Sequence, residues 1–352
     1  MKIEEKLNIE IHRFFKGAVR LFLSRPSLLS RANFILKQQQ NGLDTRRKWK
    51  EKEINVPPMI IFSITNKCNL SCVGCYHHAQ KRIGEDLATA EIECILGQAK
   101  ELGISLALIA GGEPFTRPDL IKIIKKFPEI LFLVFTNSTL IDRKLAIEIK
   151  KQKNMVPIIS LEGDCANTNA RRGDGVYQKL ETALSLLNNS LFGFSVTVTK
   201  ENLVKVTDPN FVQTLIKKGS SVLFFVEYVP FVSGTEDKTL NTKERKSLSE
   251  AIDKMRKNFS SLFISFPGDE AQYGGCLAAG RGFLHISASG QVEPCPFSPY
   301  SDVSLKDTSL KEALSSPLLE KIRSMSESLR ETDGGCALFT NRETVEEIIE
   351  GN

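Results

Sequence analysis

The sequence predicts an α/β fold, and three observations carry that prediction. Six short runs rich in β-branched and aromatic residues, at 59–64, 106–110, 130–135, 156–161, 192–199 and 220–228, alternate with stretches of helical period. This order gives a parallel sheet covered by helices, either as a partial barrel or as an open doubly wound sheet. The pair Pro57-Pro58 marks a boundary before the first run, and beyond about residue 240 the texture changes to Gly-rich loops with short strands. Three regions result: a helical extension at 1–56, the α/β region at 57–240, and a linker helix with a small C-terminal domain at 241–352.

In the first region Ile11, Phe14, Phe15, Ala18, Val19 and Phe22 recur at helical spacing, with Arg13, Lys16 and Arg20 on the other face. A break at Arg25-Pro26 precedes a second helical stretch at 27–40 and a charged run at 46–53. Residues 1–56 hold 13 Lys or Arg against 6 Asp or Glu, so they carry the basic character of a 352-residue chain whose formal net charge is only +5. A charge that small gives no reason to expect nucleic acid. The apolar stripe has two possible fates, packing on the α/β region or lying on a membrane surface.

Hydrophobic residues make up 41% of the chain and charged residues 25%, which excludes a disordered class. The longest apolar stretches fall far short of the roughly 20 residues a spanning helix needs. With no pattern of a secretory leader either, a cytoplasmic location is expected, peripheral to the membrane if the first helix meets lipid.

Eight cysteines in a reducing compartment suggest metal ligands or core residues before disulfides. Cys68, Cys72 and Cys75 stand as CxxxCxxC in a loop directly after the first strand. Three thiolates so close converge on one soft metal centre, and three ligands on a four-iron cubane leave one iron open to a ligand. The competing reading is a structural zinc loop, although zinc sites more often show paired CxxC elements.

These residues resemble the signature of the radical S-adenosylmethionine (SAM) superfamily, and the flanking Thr65-Asn66-Lys67-Cys68-Asn69-Leu70 strengthens the resemblance. Further features follow in the family's order. Gly111-Gly112-Glu113-Pro114 after the second strand is similar to the GGEP element that holds the SAM amino group. Its chemistry suits that role, since glycines admit a ligand close to the backbone and Glu113 offers a carboxylate to an ammonium. Thr136-Asn137-Ser138 resembles the TNG turn with Ser for Gly, and Ser160-Leu161-Glu162-Gly163 resembles SLDG with Glu for Asp.

The resemblance makes Asn137, Ser160 and Glu162 candidate cofactor contacts and Arg171 or Arg172 a partner for the SAM carboxylate. Gly74 departs from the family, which often has an aromatic residue there beside adenine, and Tyr76 is the expected substitute. The resemblance implies a partial (β/α)6 TIM-like barrel, a [4Fe–4S] cluster that cleaves SAM to a 5′-deoxyadenosyl radical, and an electron donor such as ferredoxin or flavodoxin.

Cys276, thirteen residues, Gly290, four residues and Cys295 form a second pattern, with Cys336 downstream. This resembles the opening of the SPASM and Twitch extensions, which bind auxiliary [4Fe–4S] clusters. The continuation of the SPASM motif does not occur, so one auxiliary cluster is expected, its fourth ligand open between Cys165, a non-cysteine group, solvent and substrate. The other reading makes these ordinary buried thiols. Cys94 lies in a helical pattern and reads as core.

Glu227 and Tyr228 close the sixth strand, where barrel chemistry gathers, and are the candidate catalytic residues. The expected function is hydrogen abstraction from a small or hydrophobic substrate. The alternatives are a peptide or protein maturase and, in another class, a non-catalytic iron–sulfur or zinc protein.

Overall fold

The computed structural model describes residues 28–80, 84–268, 270, 275–325 and 336–351. The first amphipathic helix, at 11–22, lies outside the described residues.

Helix α1 (Leu29–Lys50) runs well past the expected end at 40 and absorbs much of the charged run. Its cations are buried because they meet backbone carbonyls. Arg31 donates to the carbonyls of Lys153 (3.0 Å) and Met155, and Arg46 donates to the carbonyl of Gly103 (2.5 Å). Gln39 and Ser105 exchange two further bonds of 2.9 Å each. These partners precede or open strands, so α1 crosses the end of the sheet where the strands begin.

The chain continues through β1 (Met59–Thr65), α2 (Tyr76–Ala79), α3 (Thr89–Leu102), β2 (Leu106–Gly111), α4 (Leu120–Lys126), β3 (Leu131–Thr136), α5 (Arg143–Lys151) and β4 (Met155–Leu161). Next come α6 (Cys165–Arg172), α7 (Val176–Leu186), β5 (Phe192–Val198), α8 (Leu203–Thr207), α9 (Pro209–Lys217) and β6 (Ser220–Glu227). Every expected strand is present within a residue or so, and β1 to β6 pair in parallel in sequence order. Both faces of these strands are covered, which is why they read as nearly continuous apolar runs.

The sheet does not stop at six strands. After α10 (Thr242–Asn258), β7 (Leu262–Phe266) pairs in parallel with β6. Strand β8 (Phe283–Ile286) pairs in parallel with β1, and β9 (Val292–Glu293) pairs antiparallel with β8. The order is β7-β6-β5-β4-β3-β2-β1-β8-β9, an open nine-stranded sheet and so a partial barrel. Strands β8 and β9 form a hairpin with Gly290 in its turn. Helices α11 (Leu310–Ala313), α12 (Pro317–Ser324), α13 (Ala337–Thr340) and α14 (Arg342–Glu350) follow.

The main apolar core lies between the sheet and its helices. A second, smaller cluster joins Leu28, Ala32 and Ile35 to Leu131, Val156, Ile158, Leu191, Val222 and Phe224. Helix α1 thus plugs the bottom of the barrel, and burying a side chain such as Ile35 there contributes about 1.5–3 kcal/mol. The interior cavity lies towards the other end, where the strands finish. Among the described residues no helix is long and apolar enough to cross a membrane.

Candidate functional site

At the carboxyl ends of the strands lies a cavity of about 240 Å³ that gathers nearly all the residues the motifs single out. Cys68, Cys72, Cys75, Tyr76, Gly111, Gly112, Glu113, Asn137, Ser160, Arg171, Arg172, Glu227 and Tyr228 all line it. Pro114 and Glu162 do not. Pro114 is buried at the start of a 3-10 turn, Pro114–Thr116, and Glu162 stands behind the two arginines.

The cysteine loop is held from three sides. Gly112 N donates to Thr65 O (2.8 Å) and Glu113 N to Lys67 O (2.9 Å), which stitches the β2 turn to the loop. A Cβ on Gly112 would overlap the Lys67 carbonyl, so only glycine permits this approach. Asn69 donates to Thr139 Oγ1 (2.8 Å) and accepts from Asn137 Nδ2 (2.9 Å), and Val73 N donates to Arg171 O (2.8 Å).

Burial pushes the Cys68 and Cys72 thiols up, while Arg172 and Arg171 draw the Cys72 thiol back towards thiolate. Three soft sulfur donors on one braced loop, beside two cations, fit an anionic iron–sulfur cluster. Among the described residues no three His, Cys, Asp or Glu side chains close on a single-ion position. A four-iron cubane sets its ligands wider apart than one zinc ion, with its Zn–S bonds of about 2.3 Å, would do.

Glu113 is 1% exposed and fixed between β2 and β3. Its carboxylate accepts from Asn137 N (2.7 Å), Thr136 Oγ1 (2.8 Å) and Phe115 N (3.2 Å). Burial raises its pKa, and these bonds oppose the rise. Ser138 adopts φ +61°, the left-handed conformation that favours glycine.

Glu162, expected as a cofactor contact, stands behind the two arginines and bonds to both. One oxygen accepts from Arg171 Nη1 (2.6 Å), Arg172 Nε (2.8 Å) and Arg172 Nη2 (2.6 Å), and the other from Thr197 N (3.2 Å). Arg171 also donates to Thr197 Oγ1 (2.9 Å). Nothing in the sequence pattern marks Thr197.

Glu227 is no solvated strand-end carboxylate. It is buried and paired with Arg245 Nε at 2.6 Å; burial raises its pKa and Arg245 opposes the rise. Tyr228 donates its hydroxyl to Thr235 Oγ1 (2.9 Å) and lays its ring against Gly74. It is therefore Tyr228 that takes up the space beside Gly74. The expected substitute, Tyr76, also faces the cavity but packs edge-on against Phe297, with ring centres 5.2 Å apart.

The second cysteine set is buried, with Cys276, Cys295 and Cys336 at 8%, 3% and 7% exposure. Burial pushes the Cys276 thiol up, with Glu270 and Cys336 adding to the rise. Burial does the same to Cys295, whose thiol is within hydrogen-bonding reach of Cys336. Cys295 also lines the main cavity beside Phe297. Cys165 opens α6, where its sulfur accepts from Asn169 and Gln178 at 3.6 Å each. Cys94 is exposed, contrary to its helical reading as core, because it falls on the outer face of α3.

This combination of an open parallel barrel with a three-cysteine loop at its mouth defines an iron–sulfur enzyme class, and the comparisons with known proteins agree. The radical SAM superfamily model matches residues 62–203, which makes that stretch a radical SAM domain. It is 24% identical over 290 residues to the AdoMet-dependent heme synthase of Methanosarcina barkeri, covering 73% of this chain and 82% of that one. It is 29% identical over 265 residues to the GTP 3′,8-cyclase of Petrotoga mobilis, covering 66% and 79%. In fold it is similar to Streptococcus suis SuiB bound to its precursor peptide SuiA, with TM-score 0.64 and 20% identity over 86% of this chain and 76% of that one.

The chain is thus a radical SAM enzyme that uses SAM and a [4Fe–4S] cluster. When bound, the cluster supplies the electron that cleaves SAM.

Proposed function

We propose that Cys68, Cys72 and Cys75 hold this cluster, that Glu113 meets the SAM ammonium, and that Arg171 or Arg172 meets its carboxylate. Asn137 and Ser160 then contact the rest of the cofactor. Glu162 keeps the arginines aimed, and Arg245 holds Glu227 at the cavity wall. The observation that carries this assignment is the convergence of these side chains, drawn from five strand ends, on one cavity.

The reaction is hydrogen abstraction from an apolar group. Beyond the cofactor residues the wall is mostly apolar, with Ile61, Leu108, Phe135, Phe224, Val226 and Phe266 alongside the polar His77, His78, Ser195 and Thr197. Cys276, Cys295 and Cys336 bind a second [4Fe–4S] cluster at the cavity's edge. The buried, mutually close thiols support this, since soft metal ligation offsets the cost of forming thiolates there. Iron and sulfide analysis after anaerobic reconstitution tests it: about eight iron per chain supports two clusters, and about four refutes the second.

A peptide substrate is the second reading, favoured by the likeness to a fold solved with its precursor peptide. Cell extract that stimulates 5′-deoxyadenosine formation separates the two. Stimulation that survives protease treatment and partitions into organic solvent supports the small apolar substrate; stimulation destroyed by protease supports the peptide.

A further inference from the structure

A buried polar chain crosses the barrel wall between the two cysteine sets. Ser63 Oγ on β1 meets His285 Nε2 on β8 at 2.8 Å, and His285 Nδ1 meets Glu293 Oε2 on β9 at 2.7 Å. Ser63 and His285 are fully buried and Glu293 is 4% exposed. The carboxylate accepts from Nδ1–H, which leaves Nε2 to accept from the Ser63 hydroxyl.

Strand register makes the geometry exact in kind. His285 lies opposite Ile61 across the parallel pair, so Ser63 is the next residue along β1 on the same face, and Glu293 lies opposite His285 across the antiparallel pair. One end abuts the turn after β2 and the other lies two residues before Cys295. A Cβ on Gly111 would stand 3.1 Å from Ser63 Cβ, so Ser63 abuts the β2 turn that is stitched to the first cysteine loop. Glu293 precedes Cys295 by two residues.

None of the three lines the main cavity. Apolar residues would fill this wall at lower cost, because burying an ionisable pair carries a desolvation penalty. Fixed geometry is the best-attested return for such a pair.

We infer that Ser63, His285 and Glu293 form a positioning relay that locks the Cys295 hairpin to the strand leading into the radical cluster loop, and so sets the second cluster against the first. The inference rests on the second-cluster reading. Its test uses the full chain, reconstituted anaerobically, as wild type, His285→Leu, His285→Gln, Glu293→Gln and Ser63→Ala. The readouts are iron per chain, the electron paramagnetic resonance spectrum of the reduced protein, and 5′-deoxyadenosine formed from SAM without substrate.

The relay predicts about eight iron in the wild type, falling towards about four in His285→Leu and Glu293→Gln with loss or shift of the second cluster's signal only. Formation of 5′-deoxyadenosine persists, and His285→Gln, which can bond both neighbours, recovers much of the lost signal. Variants with wild-type iron and spectra overturn the relay while leaving the second cluster intact. A wild type with about four iron overturns both. Equal loss of both clusters in every variant, including the mild Ser63→Ala, shows a general folding role and overturns the relay.

Discussion

The phenol of Tyr228 occupies the space that any side chain at Gly74 would need. Gly74 also sits at φ +66°, so two independent constraints keep the position side-chainless. Here an aromatic ring reaches the cysteine loop from the end of β6 and lies against the bare Gly74.

Gly74→Ala should therefore lower the iron content of the first cluster. The left-handed backbone alone costs about 1–2 kcal/mol for a residue with a Cβ, and the overlap with the Tyr228 ring adds to it. Adding Tyr228→Leu relieves the overlap but not the backbone strain. The double variant should recover part of the iron, and full loss in both would show that Tyr228 is not the obstacle.

Glu162→Gln should destabilise the fold, because it leaves two arginines around a neutral amide where a 2% exposed carboxylate stood. Breaking a buried pair costs on the order of 3–5 kcal/mol, and the partial exposure of the arginines places the loss at the lower end. Urea unfolding measures this. SAM affinity should fall as well, since Arg171 and Arg172 lose their aim; unchanged affinity would remove them from the cofactor site.

Burial raises the Glu113 carboxyl above its ordinary value of 4.5, with three hydrogen bonds opposing. A raised acid contributes stability that is fully present below the ordinary value and is lost as pH rises through the raised one. An ammonium beside it stabilises the charged form, so proton and cofactor compete for the same oxygen atoms. SAM binding should strengthen as pH rises above 4.5 through the raised value, and Glu113→Gln should both weaken binding and flatten that dependence in calorimetric titrations at fixed ionic strength.

The sequence made the barrel strands legible because both of their faces are buried, and the first cysteine set legible because its ligands lie within one loop. What it hid depends on distant partners. Strand β8 joins β1 across more of the chain than any local pattern spans. Arg31 stood in a helical stretch and Arg46 in a charged run, and only the carbonyls of distant residues account for the burial of both. Glu162 looked like a ligand because its motif position is a cofactor position, and only the arginines of α6 turn it into their support.

Cys68, Cys72 and Cys75 are the source of the radical in the proposed reaction. Reconstituted protein incubated anaerobically with SAM and dithionite should form 5′-deoxyadenosine and methionine, and Cys68→Ala should abolish both products. If the wild type forms no 5′-deoxyadenosine with its cluster intact, or if Cys68→Ala forms as much as the wild type, the central claim fails.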